Sequence, residues 1–108
     1  MSAGIEIDVG DVSPGNDGFR KLLKIARDTW ELNVWLTDSD IATLRIKRPG
    51  RWGERQALRL GTSAGAPVFW SMEDAALTCM IGNDEETWDI AITLPDTALA
   101  EILSGIQA

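Results

Sequence analysis

Alternation of apolar and polar residues recurs along the chain, and it constrains the fold more than any other feature of the sequence. A period of two is typical of a strand with one buried face. The cleanest instance is segment 87–94, whose even positions are large and apolar: Trp88, Ile90, Ile92 and Leu94. The same alternation marks four further segments: 5–9, 42–47, 68–72 and 77–81. We therefore predict a sheet of about five strands, antiparallel because short loops join consecutive strands.

Two segments instead carry apolar residues at the three- and four-residue spacing of a helix. The first covers about 18–31, and its stripe consists of Phe19, Leu22, Leu23, Ala26 and Trp30. The second follows Pro95, and its stripe consists of Leu99, Ile102, Leu103 and Ile106. Residues 32–36 could extend the first helix or form a short strand, and we favour the strand. The predicted fold class is α+β, with an N-terminal-half helix and a C-terminal helix packed on one face of the antiparallel sheet.

Length and composition predict one globular domain over residues 1–108, since 44% of the residues are apolar and 25% are charged. Cys79 is the single cysteine, so no internal disulfide is expected, and a reducing cytoplasm suits such a chain. The first residues do not read as a signal peptide, and no apolar run reaches membrane-spanning length. We therefore expect a cytoplasmic protein without a membrane partner.

Charge is segregated along the sequence. Residues 60–108 contain eight acids and no lysine or arginine, whereas residues 45–59 hold six cations against one acid, in a chain of net charge −7. We interpret 45–59 as a hairpin whose cationic face is the partner-binding surface, formed by Arg45, Lys47, Arg48, Arg51, Trp52, Arg55 and Arg59. Trp52 has no apolar stripe to join, so we expect an exposed aromatic side chain of the kind found at interfaces. Neutralisation of the hairpin by acids of the same chain is an alternative that the sequence leaves open.

Residue types that most catalytic and metal sites need are scarce. The chain has no histidine, the commonest general base and metal ligand. Cys79 lies within an alternating segment, where a core thiol is expected rather than a nucleophile. Four acids near one turn form a secondary acidic surface that is more typical of a solvated turn than of a calcium loop: Asp84, Glu85, Glu86 and Asp89. We predict no catalytic residues, no cofactor and no metal, and hence that the protein is not an enzyme.

The C-terminal third carries a resemblance to a group of proteins. Its run PVFWSMEDAALTCMIGNDEETWDIAITLPDTALAEIL, and DEETWDIAITLP within it, resembles small uncharacterised proteins of high-GC actinobacteria and their phages. Seven arginines against three lysines fit the same background. The resemblance implies a compact protein encoded by a bacterium or a phage, and it transfers no functional residues.

Small size, acidity and the lack of a catalytic constellation favour a protein-binding module. In its most concrete form this is a phage- or bacterium-encoded modulator, or an immunity-type inhibitor, of a host protein. One alternative is a nucleic-acid-related protein, either a DNA mimic or a direct binder through residues 45–59, although the net charge of −7 disfavours phosphate contacts. Another is a structural homodimer in which the cationic hairpin of one copy meets the acidic surface of the other.

Overall fold

The computed structural model describes residues 5–12, 18–84 and 87–107. They form seven strands: β1 Glu6–Asp11, β2 Phe19–Arg27, β3 Trp30–Thr37, β4 Leu58–Ser63, β5 Ala66–Glu73, β6 Ala76–Gly82 and β7 Trp88–Pro95. Two α-helices, α1 Asp38–Ile46 and α2 Thr97–Gln107, and a short 3₁₀ helix, Trp52–Glu54, complete the fold. The α+β class is confirmed, with seven strands instead of about five. None of these helices is long and apolar enough to cross a membrane.

All seven strands belong to one antiparallel sheet in which spatial order follows chain order, β1 to β7. Short connections join neighbouring strands except between β3 and β4, where α1 and residues 47–57 intervene. Helix α1 packs against β3, and α2 packs against α1 and β1. The edges of the sheet are therefore β1, which has α2 beside it, and β7.

The predicted helix over 18–31 is wrong, because these residues form the hairpin of β2 and β3. Leu23 pairs with Val34, and both are buried on the face that carries the helices. The adjacent Leu22 pairs with Trp35 on the opposite face, where both are half-buried. Since both faces of β2 bear apolar residues, their spacing imitates a helical stripe. The strand preferred for 32–36 is confirmed as part of β3.

The predicted strand over 42–47 is also wrong, because residues 38–46 form α1. Thr37 caps this helix: its side chain accepts from the Asp40 backbone N–H at 3.1 Å, and the Asp40 carboxylate accepts from the Thr37 N–H at 2.9 Å. This capping box satisfies two backbone donors that would otherwise lack helical partners. The helix buries Ile41 and Leu44, three residues apart, and leaves Ile46 81% exposed. Residues 45–59 are therefore not a hairpin.

The core lies between the helices and the inward face of the sheet. Its sheet residues include several of the alternating apolar positions: Leu23, Val34, Leu60, Val68, Trp70, Leu77, Cys79 and Leu94. Ile102 and Ile106 of α2 join the same cluster, as the predicted stripe required. The Trp70 indole N–H donates to the Leu60 carbonyl at 3.0 Å, so its polar atom is satisfied within the core. Trp88, which alternation assigned to the core, is only half-buried.

Gly61 lets β4 run close to β3. Its φ of +85° lies in the left-handed region, and a β-carbon there would stand 2.6 Å from Val34 Cγ1 and 2.9 Å from the Trp35 carbonyl oxygen. A register irregularity in the pairing of β4 with β5 falls between Arg59 and Thr62, around this glycine. Gly61 thus serves the join between the two halves of the sheet, both by its backbone angle and by its lack of a side chain.

Candidate partner-binding surface

The seven residues predicted to share one cationic face lie in three places. Arg45 is in the last turn of α1, in the helical layer, and Arg59 is on β4, in the sheet. Arg59 pairs with Phe69 and is exposed on the sheet face away from the helices, because its neighbour Leu60 is buried on the inward face. The remaining five lie in residues 47–57, hereafter the 47–57 loop: Lys47, Arg48, Arg51, Trp52 and Arg55. The face of the predicted hairpin is not formed, since α1 replaces one of its two strands.

Backbone hydrogen bonds fix the 47–57 loop. The Gly50 N–H donates to the Gln56 carbonyl at 2.9 Å, and the Gln56 N–H donates to the Arg51 carbonyl at 3.0 Å. A third bond, from the Met72 N–H to the Gly50 carbonyl at 2.9 Å, ties the loop to β5. Arg55 adopts a left-handed φ of 58° and closes the 3₁₀ turn. These hydrogen bonds join the two ends of the loop to each other and the loop to β5.

Part of the loop's positive charge is neutralised within the chain. Arg51 lies 3.6 Å from a Glu54 oxygen and 3.8 Å from an Asp74 oxygen. All three side chains are more than half exposed, so these pairs contribute little to stability. The Arg48 guanidinium donates to the carbonyls of Leu44 and Lys47, which places its charge at the C-terminal end of α1, where the helix dipole favours a cation.

Trp52 is exposed as predicted, at 39% of its surface, and it is not isolated. Its ring stands edge-on to that of Trp88, with centroids 5.7 Å apart and planes at 84°. Ile90, two residues further along β7, is 50% exposed. We refer to Trp52, Trp88 and Ile90 as the Trp52 patch. It joins the predicted loop site to the edge strand β7, a connection that alternation concealed by assigning Trp88 and Ile90 to the core.

Two of the four residues of the predicted acidic surface, Asp84 and Asp89, are described, and both are exposed. Asp84 is exposed and organises the turn between β6 and β7, since its carboxylate accepts from the Thr87 N–H at 2.8 Å. Asp89 is exposed at the start of β7. Glu85 and Glu86 lie outside the described residues. Of the predicted acidic residues, Asp89 therefore lies between Trp88 and Ile90 in the sequence of β7.

A second charged region, missed from the sequence, lies between β1, β2, α1 and the end of α2. It is a cleft of about 570 Å³, lined by Asp11, Val12, Arg20, Lys21, Asp38, Ile41, Arg45 and Ile106. Lys21 is only 14% exposed and lies 2.6 Å from Asp11, while Arg20 lies 3.4 Å from Asp38. The hydrogen bond from Lys21, reinforced by its charge, lowers the pKa of Asp11. Because residues 18–31 were predicted to form a helix, the pairing of Lys21 with Asp11 was not predicted. It follows from the register of β1 with β2.

The described residues offer little that resembles a reactive centre. Burial raises the pKa of the Cys79 thiol to about 12, so the thiolate is scarce at neutral pH. Across 5–12, 18–84 and 87–107, no three aspartate, glutamate or cysteine side chains are grouped as metal ligands would be. What these residues present is an aromatic patch and two charged surfaces.

No protein-family model, curated protein or solved structure matches this chain. Its function must therefore be inferred from its own surfaces.

Proposed function

We propose that this chain is a small protein-binding module and that the Trp52 patch is the centre of its interface. The supporting observation is the edge-on pair of Trp52 and Trp88 beside the exposed Ile90. Tryptophan and arginine are enriched among the residues that dominate binding energies, and the loop supplies Arg51 and Arg55 around the indole.

The backbone hydrogen bonds of the 47–57 loop support the same proposal. A side chain that is ordered before binding loses less conformational entropy when the complex forms. Backbone hydrogen bonds from Gly50, Gln56 and Met72 hold the loop, and the Trp88 ring contacts the Trp52 ring edge-on. The patch is thus prepared to enter an apolar pocket of a partner.

Charge indicates the kind of partner. A net charge of −7, with eight acids and no cation after residue 59, suits a basic target surface and would accelerate association with it. A bacterium- or phage-encoded modulator, or an immunity-type inhibitor, of a basic host protein fits these properties. The Trp52 patch would supply affinity, and the surrounding acids would supply steering.

The test compares Trp52→Ala with Ile46→Ala in capture from a bacterial lysate, followed by calorimetry with the captured protein. Ile46 is the matched control because it is an exposed apolar residue on α1 and does not belong to the patch. Trp52→Ala should weaken binding by about 2 kcal/mol or more, roughly thirtyfold, and Ile46→Ala should leave it unchanged. Recovery of no stoichiometric partner, or equal affinity of both variants, would refute the proposal.

Arg55→Ala distinguishes steering from direct contact. Removing a cation at the rim should alter mainly the association rate, and the effect should disappear at high salt because rim charges are screened. A change in the dissociation rate that persists at high salt would instead place Arg55 in the buried part of the interface.

A further inference from the structure

β7 is the edge strand of the sheet that carries two residues of the Trp52 patch. Within the part of the chain that the structure describes, the strand order ends at β7, and β6 is its paired neighbour. The other edge, β1, lies beside α2, whose Gly105 approaches Val9 so closely that a β-carbon there would be 2.6 Å from Val9 Cγ2. Along β7, the side chains of Asp89, Ile90, Ala91 and Thr93 are exposed. The two edges therefore differ in what packs on their inward faces: α2 contacts β1, and the Trp52 ring contacts Trp88 of β7.

β7 also lacks most of the devices by which proteins prevent strand addition. Natural edges are commonly short or carry lysine, proline or a bulge. β7 is eight residues long, contains no lysine, and has proline only at its last position, Pro95. A register irregularity affects only its first residues, at the pairing of Gly82 with Trp88. In an antiparallel sheet, every second residue of such an edge directs its backbone N–H and C=O away from the sheet.

We propose that β7 binds an extended cationic segment of a partner protein, which pairs with its free edge as an eighth strand. This inference rests on the proposed function and gives the mode of docking at the same site. Backbone hydrogen bonds to β7 would hold the segment, and its inward side chains would cover Ile90 and the Trp88 ring. The aromatic patch and the open edge thus form one binding surface.

Charge decides between a cationic segment and a second copy of this chain. Three acids near the edge are exposed: Asp84, Asp89 and Asp96. Residues 60–108 contain no lysine or arginine, and Arg51 of the neighbouring loop already lies near two acids, Glu54 and Asp74. Pairing of two β7 edges would bring together two acidic surfaces in chains that each carry −7, which like-charge repulsion disfavours. A lysine- or arginine-bearing strand meets the same edge with opposite charge.

The first experiment uses a ten-residue peptide in which valine alternates with lysine or arginine. Its control is the same peptide with N-methyl groups on two adjacent central residues, which removes a donor from both edges of the strand and keeps every charge. We expect the unmodified peptide to bind at least tenfold more tightly and to slow amide hydrogen exchange in β7 but not in β1. Equal binding of both peptides, no binding, or no slowing in β7 would overturn the inference.

Matched charge reversals locate the site. Asp89→Lys and Glu6→Lys both replace a carboxylate by an ammonium group, at exposed positions of the two edge strands. Glu6 pairs with Ala26, so the strand partner of Glu6 carries no charge. Asp89→Lys should weaken peptide binding at least tenfold, and Glu6→Lys by less than threefold. Equal losses would indicate attraction to the whole molecule, and a dimer that Asp89→Lys dissociates would assign the edge to self-association; either result overturns the inference.

The two proposals fail separately. If a captured partner depends on Trp52 but leaves hydrogen exchange in β7 unchanged, the protein-binding module stands and strand addition is wrong. If the peptide protects β7 but no stoichiometric partner is captured, the proposed function is the one refuted.

Discussion

Gly61→Ala tests the closest approach in the sheet, where β4 passes β3. The left-handed φ of +85° should cost an alanine about 1–2 kcal/mol. The new methyl group would also stand 2.6 Å from Val34 Cγ1 and 2.9 Å from Leu36 Cδ2, and such overpacking costs about 1–3 kcal/mol. We therefore expect a loss of about 3 kcal/mol, a large share of the roughly 5–15 kcal/mol that stabilises a typical domain.

Gly65→Ala separates these two contributions. Gly65 has a similar φ of +82°, but nothing lies within 4 Å of a β-carbon built there, so its substitution reports backbone strain alone. Urea unfolding followed by tryptophan fluorescence should show a loss of about 1–2 kcal/mol for Gly65→Ala and a larger loss for Gly61→Ala. If Gly61→Ala is no more destabilising than Gly65→Ala, β4 does not lie against β3 in the described register.

Three further predictions concern stability and reactivity. Trp70→Ala should lower the free energy of unfolding by about 3–5 kcal/mol, and the half-buried Trp88→Ala by about 2 kcal/mol, as measured by urea unfolding. Thr37→Ala removes the cap of α1 and should cost about 1 kcal/mol in the same assay, with helical circular dichroism reduced. Cys79 should react with a maleimide at pH 8 only when the protein is unfolded. Because folding raises the pKa of its thiol to about 12, the free energy of unfolding should be highest below the unfolded pKa near 8.5 and should fall as pH rises toward 12. Urea unfolding at pH 8 and pH 10 would measure this fall. Rapid labelling of the native protein would contradict the last prediction. So would a Cys79→Ala variant whose free energy of unfolding falls between pH 8 and pH 10 as much as that of the unchanged protein.

Period-two patterns located β5 and β6 correctly, because Val68, Trp70, Leu77 and Cys79 alternate along the chain and all face one core. The three- and four-residue spacing of apolar residues located the C-terminal helix in the same way. Apolar periodicity predicted the wrong element at β2, because Leu22 and Leu23 are apolar on opposite faces of this strand. It failed again at α1, which is short and has a weak apolar stripe. There the Thr37–Asp40 capping box was the signal in the sequence that indicated a helix.

The candidate site was predicted in part. Trp52 was identified because its flanking residues are polar or small, a local property that survives any error in the fold. Arg45 and Arg59 were joined to it by the wrong hairpin, and α1 carries them apart. Trp88 and Ile90 could not be assigned to the patch from periodicity. Alternation shows which residues share a face of the strand, but it does not show how far the helices cover that face.

The chain-ordered sheet has a consequence for how the protein folds. Every strand pairing except that of β3 with β4 joins neighbours across a short connection, so the two groups β1–β3 and β4–β7 can each form by successive hairpin closures. A single hairpin closes in about 1–10 μs. Joining the groups requires closing the segment 38–57, and the contact of α2 with β1 unites the most distant parts of the sequence. That contact bears the greatest loop-closure entropy. We therefore expect α2 to dock late, after both halves of the sheet are formed.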